Sequence, residues 1–325
     1  MKLFRYLKKG FYSLNEYWKS AAVLSSKYRE RTRLYFFMDI FYCTLRYGAN
    51  DTDYILFDYY KKTHFNRNQY ITWLRTFAIS SKLDERGLHE LINKPTFNSL
   101  FRNYLKRDWI DCSNASVETI EDFIKQHQKV IAKPANSALG RGIHTVSFPV
   151  GHNEIQTLYD DNFILEEILE NVSDIRRLNY NSLNTVRIVT AIDSKGEVSV
   201  LSAILRMGTG YGITDNLCSG GIACAIDLDT GYLIGPAKNT RGDLFNIHPV
   251  SQIAFNGFQV PNFKECMDMV LELCHMIPYA RYVGWDIAIT TRGVCVIEGN
   301  MPPSEETTEF SSSGQWQKLN YILSH

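Results

Sequence analysis

After residue 128 the chain changes period. KVIAKP (129–134), HTVSFP (144–149), FILEEIL (163–169), TVRIVTAID (185–193), VSVLSAILRMG (198–208) and IACAIDLDTGYLI (222–234) are short apolar runs of strand length. Turn residues separate them, notably SKGE (194–197) and Asp229-Thr230-Gly231. A hairpin, GWDIAITTRGVCVIEGN (284–300), closes the series. Before residue 129 the pattern is helical. Asn93 enters a helix with Pro95 in its first turn, and Ser116 caps SVETIEDFIKQH (116–127). FKECMDMVLELCHM (263–276) is a further helix. Helices first and then a long antiparallel stretch predict an α+β chain rather than a doubly wound α/β one.

The polar residues inside the apolar runs limit what such a sheet is for. In the closing hairpin the strands are expected at Trp285–Thr290 and Val294–Glu298, around the turn Thr291-Arg292-Gly293. Asp286 then falls opposite Glu298, and Glu298 and Asn300 share a face. Polar residues at a wet hairpin end are one reading. A hard divalent cation held by oxygen ligands is the other, and it relieves two like charges. Arg187 and Arg206 are single cations in apolar strands, costly unless something anionic lies between them. Lys133 ends a strand and is followed by a loop with Gly140, Arg141 and Gly142, which suits an anion although no G-K-[ST] loop is present. Glu166, Glu167 and Glu170 interrupt FILEEILE. Asp215, Asn216 and Gly220-Gly221 occupy the loop after Arg206. Each feature taken alone also fits an edge strand or a surface loop.

Charge is uneven although the net is zero. Residues 1–110 hold 20 Lys+Arg against 10 Asp+Glu, and residues 111–325 hold 15 against 25. The basic front therefore meets something anionic, or the acidic back. In the first helix Leu3, Leu7, Phe11, Leu14 and Trp18 form one stripe among Lys2, Arg5, Lys8 and Lys9. Such a helix lies on a membrane surface or docks on the body. LYFFMDIFYCTL (34–45) is too short to span a bilayer and contains Asp39. Seven scattered cysteines with no C-x-x-C, and no secretory signal at the start, point to a reducing cytoplasm. Nothing in the pattern calls for a nucleic-acid partner.

In order, the lysine with its glycine loop, the acidic strand, the two arginines, the Gly-Gly loop and D…E-x-N resemble the ATP-grasp superfamily of carboxylate–amine ligases. KPANSALGRGI, NTVRI, RMGTGYGITDNLCSGGIACAIDLDTG, HPVSQIAFNGFQVP and GWDIAITTRGVCVIEGN resemble its sugar-transfer-associated family. The resemblance runs from about Lys94 to Asn300 and fades in the first ninety residues. It implies a helical region over 1–90 and an ATP-grasp domain over 91–325, two α+β subdomains around ATP hinged near 166–170. It implies that Lys94 and Lys133 hold nucleotide phosphates and that Gly140, Arg141 and Gly142 lie in a lid. Glu166, Glu167 and Leu169 match the adenine hinge, and Glu170 or Asp174 the ribose carboxylate. Arg187 and Arg206 would hold the transferred phosphoryl group, and Asn216 with Gly220-Gly221 would border the acceptor. Asp286, Glu298 and Asn300 would bind two Mg²⁺, with Mn²⁺ as the alternative ion.

The implied activity is ATP-dependent amide formation through an acyl phosphate. It would join a small-molecule or glycan carboxylate to an amine acceptor in surface-polysaccharide or capsule biosynthesis. A phosphotransferase on the same fold and a non-catalytic nucleotide-binding scaffold are the alternatives. If the substrate is lipid-linked, the first helix would hold the enzyme at the inner face of the membrane.

Overall fold

The computed structural model describes residues 2–137, 141–210, 217, 220–310 and 313–325, and of residues 2–13 the helix alone. Gly140, Asp215 and Asn216 lie outside the described residues, as do the side chains of Leu3, Leu7 and Phe11.

The fold is α+β. Four strands, β1 (Trp109–Asp111), β2 (Lys129–Pro134), β3 (His144–Ser147) and β4 (Phe163–Glu167), form a sheet in the order β1-β4-β2-β3. The helices Val117–His127 and His152–Asp160 cover one face through Ile120, Ile124, Ile155 and Leu158. The Ser116 hydroxyl accepts the Thr119 N–H and starts the first of these helices.

Seven further strands build the larger sheet: β5 (Thr185–Ile192), β6 (Val198–Met207), β7 (Ile222–Ile226), β8 (Leu233–Lys238), β9 (Leu244–Phe245), β10 (Tyr282–Thr290) and β11 (Gly293–Asn300). Their order is β11-β10-β5-β6-β7-β8-β9, and each pairing is antiparallel. Period-2 alternation divides the residues between two faces. Ile188, Leu205, Val283, Trp285 and Ile287 pack with Val270, Leu273 and Cys274 of the helix Phe263–Met276. On the other face Val189, Ala191, Leu201 and Tyr282 meet Ile71, Ile79, Leu319 and Ile322.

The hairpin β10–β11 differs from the sequence expectation in an instructive way. Its strands are longer, and Thr291-Arg292 alone form the turn, because Thr290 pairs Gly293. Continued without interruption, that register would set Asp286 against Ile297. A bulge at Ile297 adds one residue to β11, and Asp286 pairs Glu298 after all.

The N-terminal region has its own aromatic core. Tyr17, Ala21 and Leu24 of the helix Lys2–Lys27 pack with Phe36, Ile40, Cys43 and Tyr47 of the helix Arg33–Tyr47. Gly48 ends the second helix at φ 69°, and a Cβ there would sit 2.4 Å from Leu74 Cβ. The helix Trp73–Ser80 therefore closes directly on that end. The region docks on the larger sheet beside the C-terminal helix Trp316–Ser324. Glu309 is the fastener, its buried Oε1 accepting the Ile71 N–H at 2.7 Å and the Gln315 N–H at 2.9 Å. The boundary expected at residues 90/91 falls inside the helix Glu85–Ile92, whose Leu91 belongs to the main core.

Glu309→Ala leaves a buried and a half-buried N–H donor unpaired and is expected to cost about 3 kcal/mol. Urea denaturation measures it; a loss under about 0.5 kcal/mol would mean that the region is not fastened through this carboxylate.

Candidate active site

Arg187, Arg206 and Asp286 project from adjacent strands on the face of the larger sheet that also receives the N-terminal region. Asp286 stands directly opposite Arg187 in register. Its carboxylate takes Arg187 through Nε and, at 2.8 Å, through Nη2. Arg206 Nη1 reaches the same two oxygens at 3.1 and 3.0 Å. Burial alone would raise the Asp286 carboxyl, but the two guanidiniums outweigh it and hold the group well below the carboxylate range. The anion expected between the two arginines is thus the aspartate of the neighbouring strand. As an expected metal ligand, Asp286 has both oxygens engaged by arginine.

Glu298 and Asn300 share one face beside this cluster, as the spacing predicts, and Asn300 Nδ2 donates to Glu298 Oε1 at 3.1 Å. Glu298 is half-open to the cleft, with Arg187 Nη2 3.9 Å away. Desolvation, then the charge of Asp286, pushes its carboxyl above the ordinary value. A carboxyl so burdened, next to an amide oxygen and a second acid, is a fitting donor set for a hard divalent ion. Glu298 and Asn300 are the members facing the cleft.

The opposite wall comes from the smaller sheet. Lys133, at the end of β2, donates to Glu166 Oε2 at 2.6 Å. Arg107 Nη2 and Asn98 Nδ2 reach Glu166 Oε1 at 3.0 and 2.9 Å. Burial opposes ionisation here too, but Arg107 and Lys133 hold the Glu166 carboxyl well below its usual range. Glu166, expected at the adenine hinge, borders the first cavity and turns its side chain inward to Lys133, Arg107 and Asn98. Lys94 donates to the Ser137 carbonyl at 2.6 Å, and burial lowers its ammonium below the ordinary value, with Glu298 opposing.

Two cavities lie between the walls and have Lys133, Glu166 and Ile297 in common. One, of about 200 Å³, is bounded by Ile131, Lys133 and Thr145 and by the stretch Glu167–Asn171. The other, of about 210 Å³, is bounded by Lys94, Asn98, Ser137, Glu298 and Asn300. The bulged Ile297 thus borders both chambers, the first of which sets Lys129, Glu170 and Arg176 beside Ile168, Leu169 and Leu183. Leu169 packs on Ala288 and Cys295, so the hinge stretch rests on the hairpin. Glu167 turns outward to Arg292 at the hairpin tip, with one bond at 2.7 Å. Of the two ribose candidates Glu170 borders the first cavity, where it pairs with Arg176; exposed Asp174 faces Arg177 and does not border it. Arg141 is exposed, and Gly142 has φ 76° with Pro134 against it.

Arg107 and Asn98 are functional neighbours that the sequence does not disclose. Arg107 lies in the run LKRD, which reads as solvated charge, yet it is buried and donates to the Val296 carbonyl at 2.8 Å. A second unforeseen device is the amide ladder of Asn171 and Asn184. Asn171 Oδ1 accepts the Asn184 N–H at 2.8 Å, and Asn184 Oδ1 accepts the Gly208 N–H at 3.3 Å. It ties the ends of β5 and β6 together just beyond Arg187 and Arg206.

The burden on Glu298 gives a pH signature. Its raised value adds stability that is present below the ordinary 4.5 and lost as pH rises through the shifted value. Without divalent ions, Glu298→Gln and wild type are expected to melt together near pH 4. The variant should melt higher toward about pH 7. A calorimetric gap that does not change with pH would contradict this environment.

A sequence model described as sugar-transfer associated ATP-grasp matches residues 92–321. No curated protein matches the chain. Among solved structures, the ATP-grasp ligase PsnB complexed with minimal precursor, Mg and ADP aligns at 16% identity and TM-score 0.45, covering 74% of this chain and 61% of that one. N5-carboxyaminoimidazole ribonucleotide synthetase from Thermotoga maritima aligns at 10% identity and TM-score 0.45, covering 73% and 51%. D-alanyl-alanine synthetase A from Vibrio cholerae aligns at 10% identity and TM-score 0.41, covering 74% and 62%. The chain thus spans less than two thirds of the length of each of these three.

Proposed function

The chain belongs to the sugar-transfer associated ATP-grasp family, and from that premise we propose that it is an ATP- and Mg²⁺-dependent carboxylate–amine ligase acting on a sugar-derived or amino-acid building block. The observation that carries this reading is the pair of neighbouring cavities that share Lys133, Glu166 and Ile297, one beside Glu167–Asn171 and the other between Lys94, Lys133, Glu298 and Asn300. A base fits the first chamber, and a polyphosphate leads from it past Ile297 into the second. Lys133, held straight by Glu166, and Lys94 bind phosphate oxygens. Glu298 and Asn300 would hold Mg²⁺, with Asp286 behind them; when bound it would supply charge neutralisation to the phosphates.

The residues of the chain then have definite tasks. A carboxylate cannot expel oxide, so it must first receive the γ-phosphoryl group of ATP, releasing ADP. Arg187 and Arg206 offer guanidinium N–H groups to the oxygens in transfer, in place of their contacts with Asp286. The resulting acyl phosphate has a good leaving group. An amine attacks its carbonyl carbon, the C–O bond to phosphate breaks, and the amine proton leaves as the amide forms. The description of the family supports a sugar-derived substrate, and glycan assembly is the setting it suits.

The decisive experiment is an ADP-release screen that offers uronic acids or amino acids in pairs with amines and amino sugars. ADP formation that requires both members of a pair is expected. ADP formation without amine, with a stable phosphorylated product, would make the protein a phosphotransferase; no ADP with any pair would defeat the reading. ATP with Mg²⁺ should raise the melting temperature, and Lys133→Ala should remove most of that rise. With an active pair in hand, Glu298→Gln should lower turnover at least ~100-fold while the fold is kept.

A further inference from the structure

The helix Arg33–Tyr47 is apolar on two opposite sides. Phe36, Ile40, Cys43 and Tyr47 face the N-terminal core. Leu34, Met38, Phe41 and Leu45, spaced by four, three and four, form a second stripe, with Tyr35 and Tyr42 along one edge. All six are exposed, Leu34 by 60%, Met38 by 54% and Leu45 by 73%. At 3.6 residues per turn they fall within an arc of about 120° that contains no charged residue. The one acid of the helix, Asp39, points elsewhere: it takes Arg67 at 2.7 and 2.8 Å and the Tyr54 hydroxyl at 2.6 Å. An exposed apolar stripe of this size marks a surface that something covers.

The surroundings of the stripe identify the cover. Arg31 stands before the helix and Arg46 at its end, while Arg33 turns away to the Trp18 carbonyl and ring, and residues 1–50 hold 10 Lys+Arg against 3 Asp+Glu. Arg31 lies over the Tyr35 ring, 4.6 Å from its centre. Aliphatic side chains in the middle, tyrosines at the edge and arginines outside them follow the depth profile of a bilayer surface, from acyl chains to headgroup phosphates. A second copy of the chain seated on the stripe would bring the same arginines against these, like charge on like. Among the described residues no helix is long and apolar enough to cross a membrane, so the contact would be a surface one.

We propose that the Leu34–Leu45 stripe seats the protein on an anionic membrane surface, with the helix Arg33–Tyr47 lying in the interface plane. This moves the membrane contact from the first helix to the second. The proposal does not depend on the ligase reading.

The test is co-sedimentation of the full chain with vesicles of phosphatidylcholine alone or with about 30% phosphatidylglycerol. Binding to the mixed vesicles that weakens with salt is expected, with little binding to the neutral ones. Met38→Glu with Leu45→Glu should weaken it at least ~10-fold while the cooperative melt is unchanged. Should the double variant fold poorly, Leu45→Glu alone, at the most exposed position of the stripe, should still weaken it measurably. Equal binding by a well-folded variant and wild type would overturn the proposal, as would no binding by wild type. A wild-type dimer that the variant dissociates, without vesicle binding, would also overturn it and make the stripe an interface between copies.

Discussion

Asp286 is the charge around which the larger sheet is arranged. Two arginines on neighbouring strands, facing a surface otherwise packed with Val189, Ala191 and Tyr282, would be costly to bury alone. A carboxylate directly across from Arg187, and within reach of Arg206, makes both tolerable. Such clusters contribute little net stability, but they are intolerant of misplacement. Slipping β10 by one residue would turn Asp286 toward the helix Phe263–Met276 and Trp285 toward the arginines. The cluster therefore fixes the register of three strands, and through the bulge at Ile297 that of the fourth.

The smaller sheet repeats the device with different residues. Lys133 is held by Glu166, which is itself held by Arg107 and Asn98. Each wall thus brings one carboxylate shared by two cations, Asp286 for Arg187 and Arg206 and Glu166 for Arg107 and Lys133. Arg107 also reaches the carbonyl of Val296, next to the bulge. Glu167, one residue further along β4, grips Arg292 at the hairpin tip. The two sheets thus meet through charged side chains as well as through apolar contacts, Leu169 on Ala288 and Cys295 and Trp109 on the core of the larger sheet.

What the sequence discloses here is exception against a regular background. Arg187, Arg206, Asp286 and Glu298 stand out because strands of period 2 leave them no neutral explanation. The pairing of Asp286 with Glu298 is also legible, though from a three-residue turn that does not exist; a two-residue turn and a bulge give the same sum. No glycine or proline marks Ile297, so nothing local announces the bulge. Arg107 and Asn98 are illegible for another reason. They come from a basic run and a short helix, and their meaning depends on Glu166, which is distant in sequence. Partners are the hidden quantity throughout. Nothing local tells that the Glu166 carboxylate meets Lys133, and the amphipathy of the N-terminal helices shows that something is buried without saying against what.

The fastening at Glu309 separates two units that are easily confused. The segment matched by the family, 92–321, is a unit of descent. The unit of folding is larger, because Ile71 and Ile79 complete the face that Leu319 and Ile322 only partly cover, and Gly87 lies within van der Waals reach of Met301 and Ala280. Recombination that exchanged only the matched segment between relatives would set a foreign Glu309 beneath a resident Ile71. The N-terminal helices and the helix Trp316–Ser324 would therefore have to travel together, as the two halves of one cover on the same sheet, although they lie far apart in the sequence.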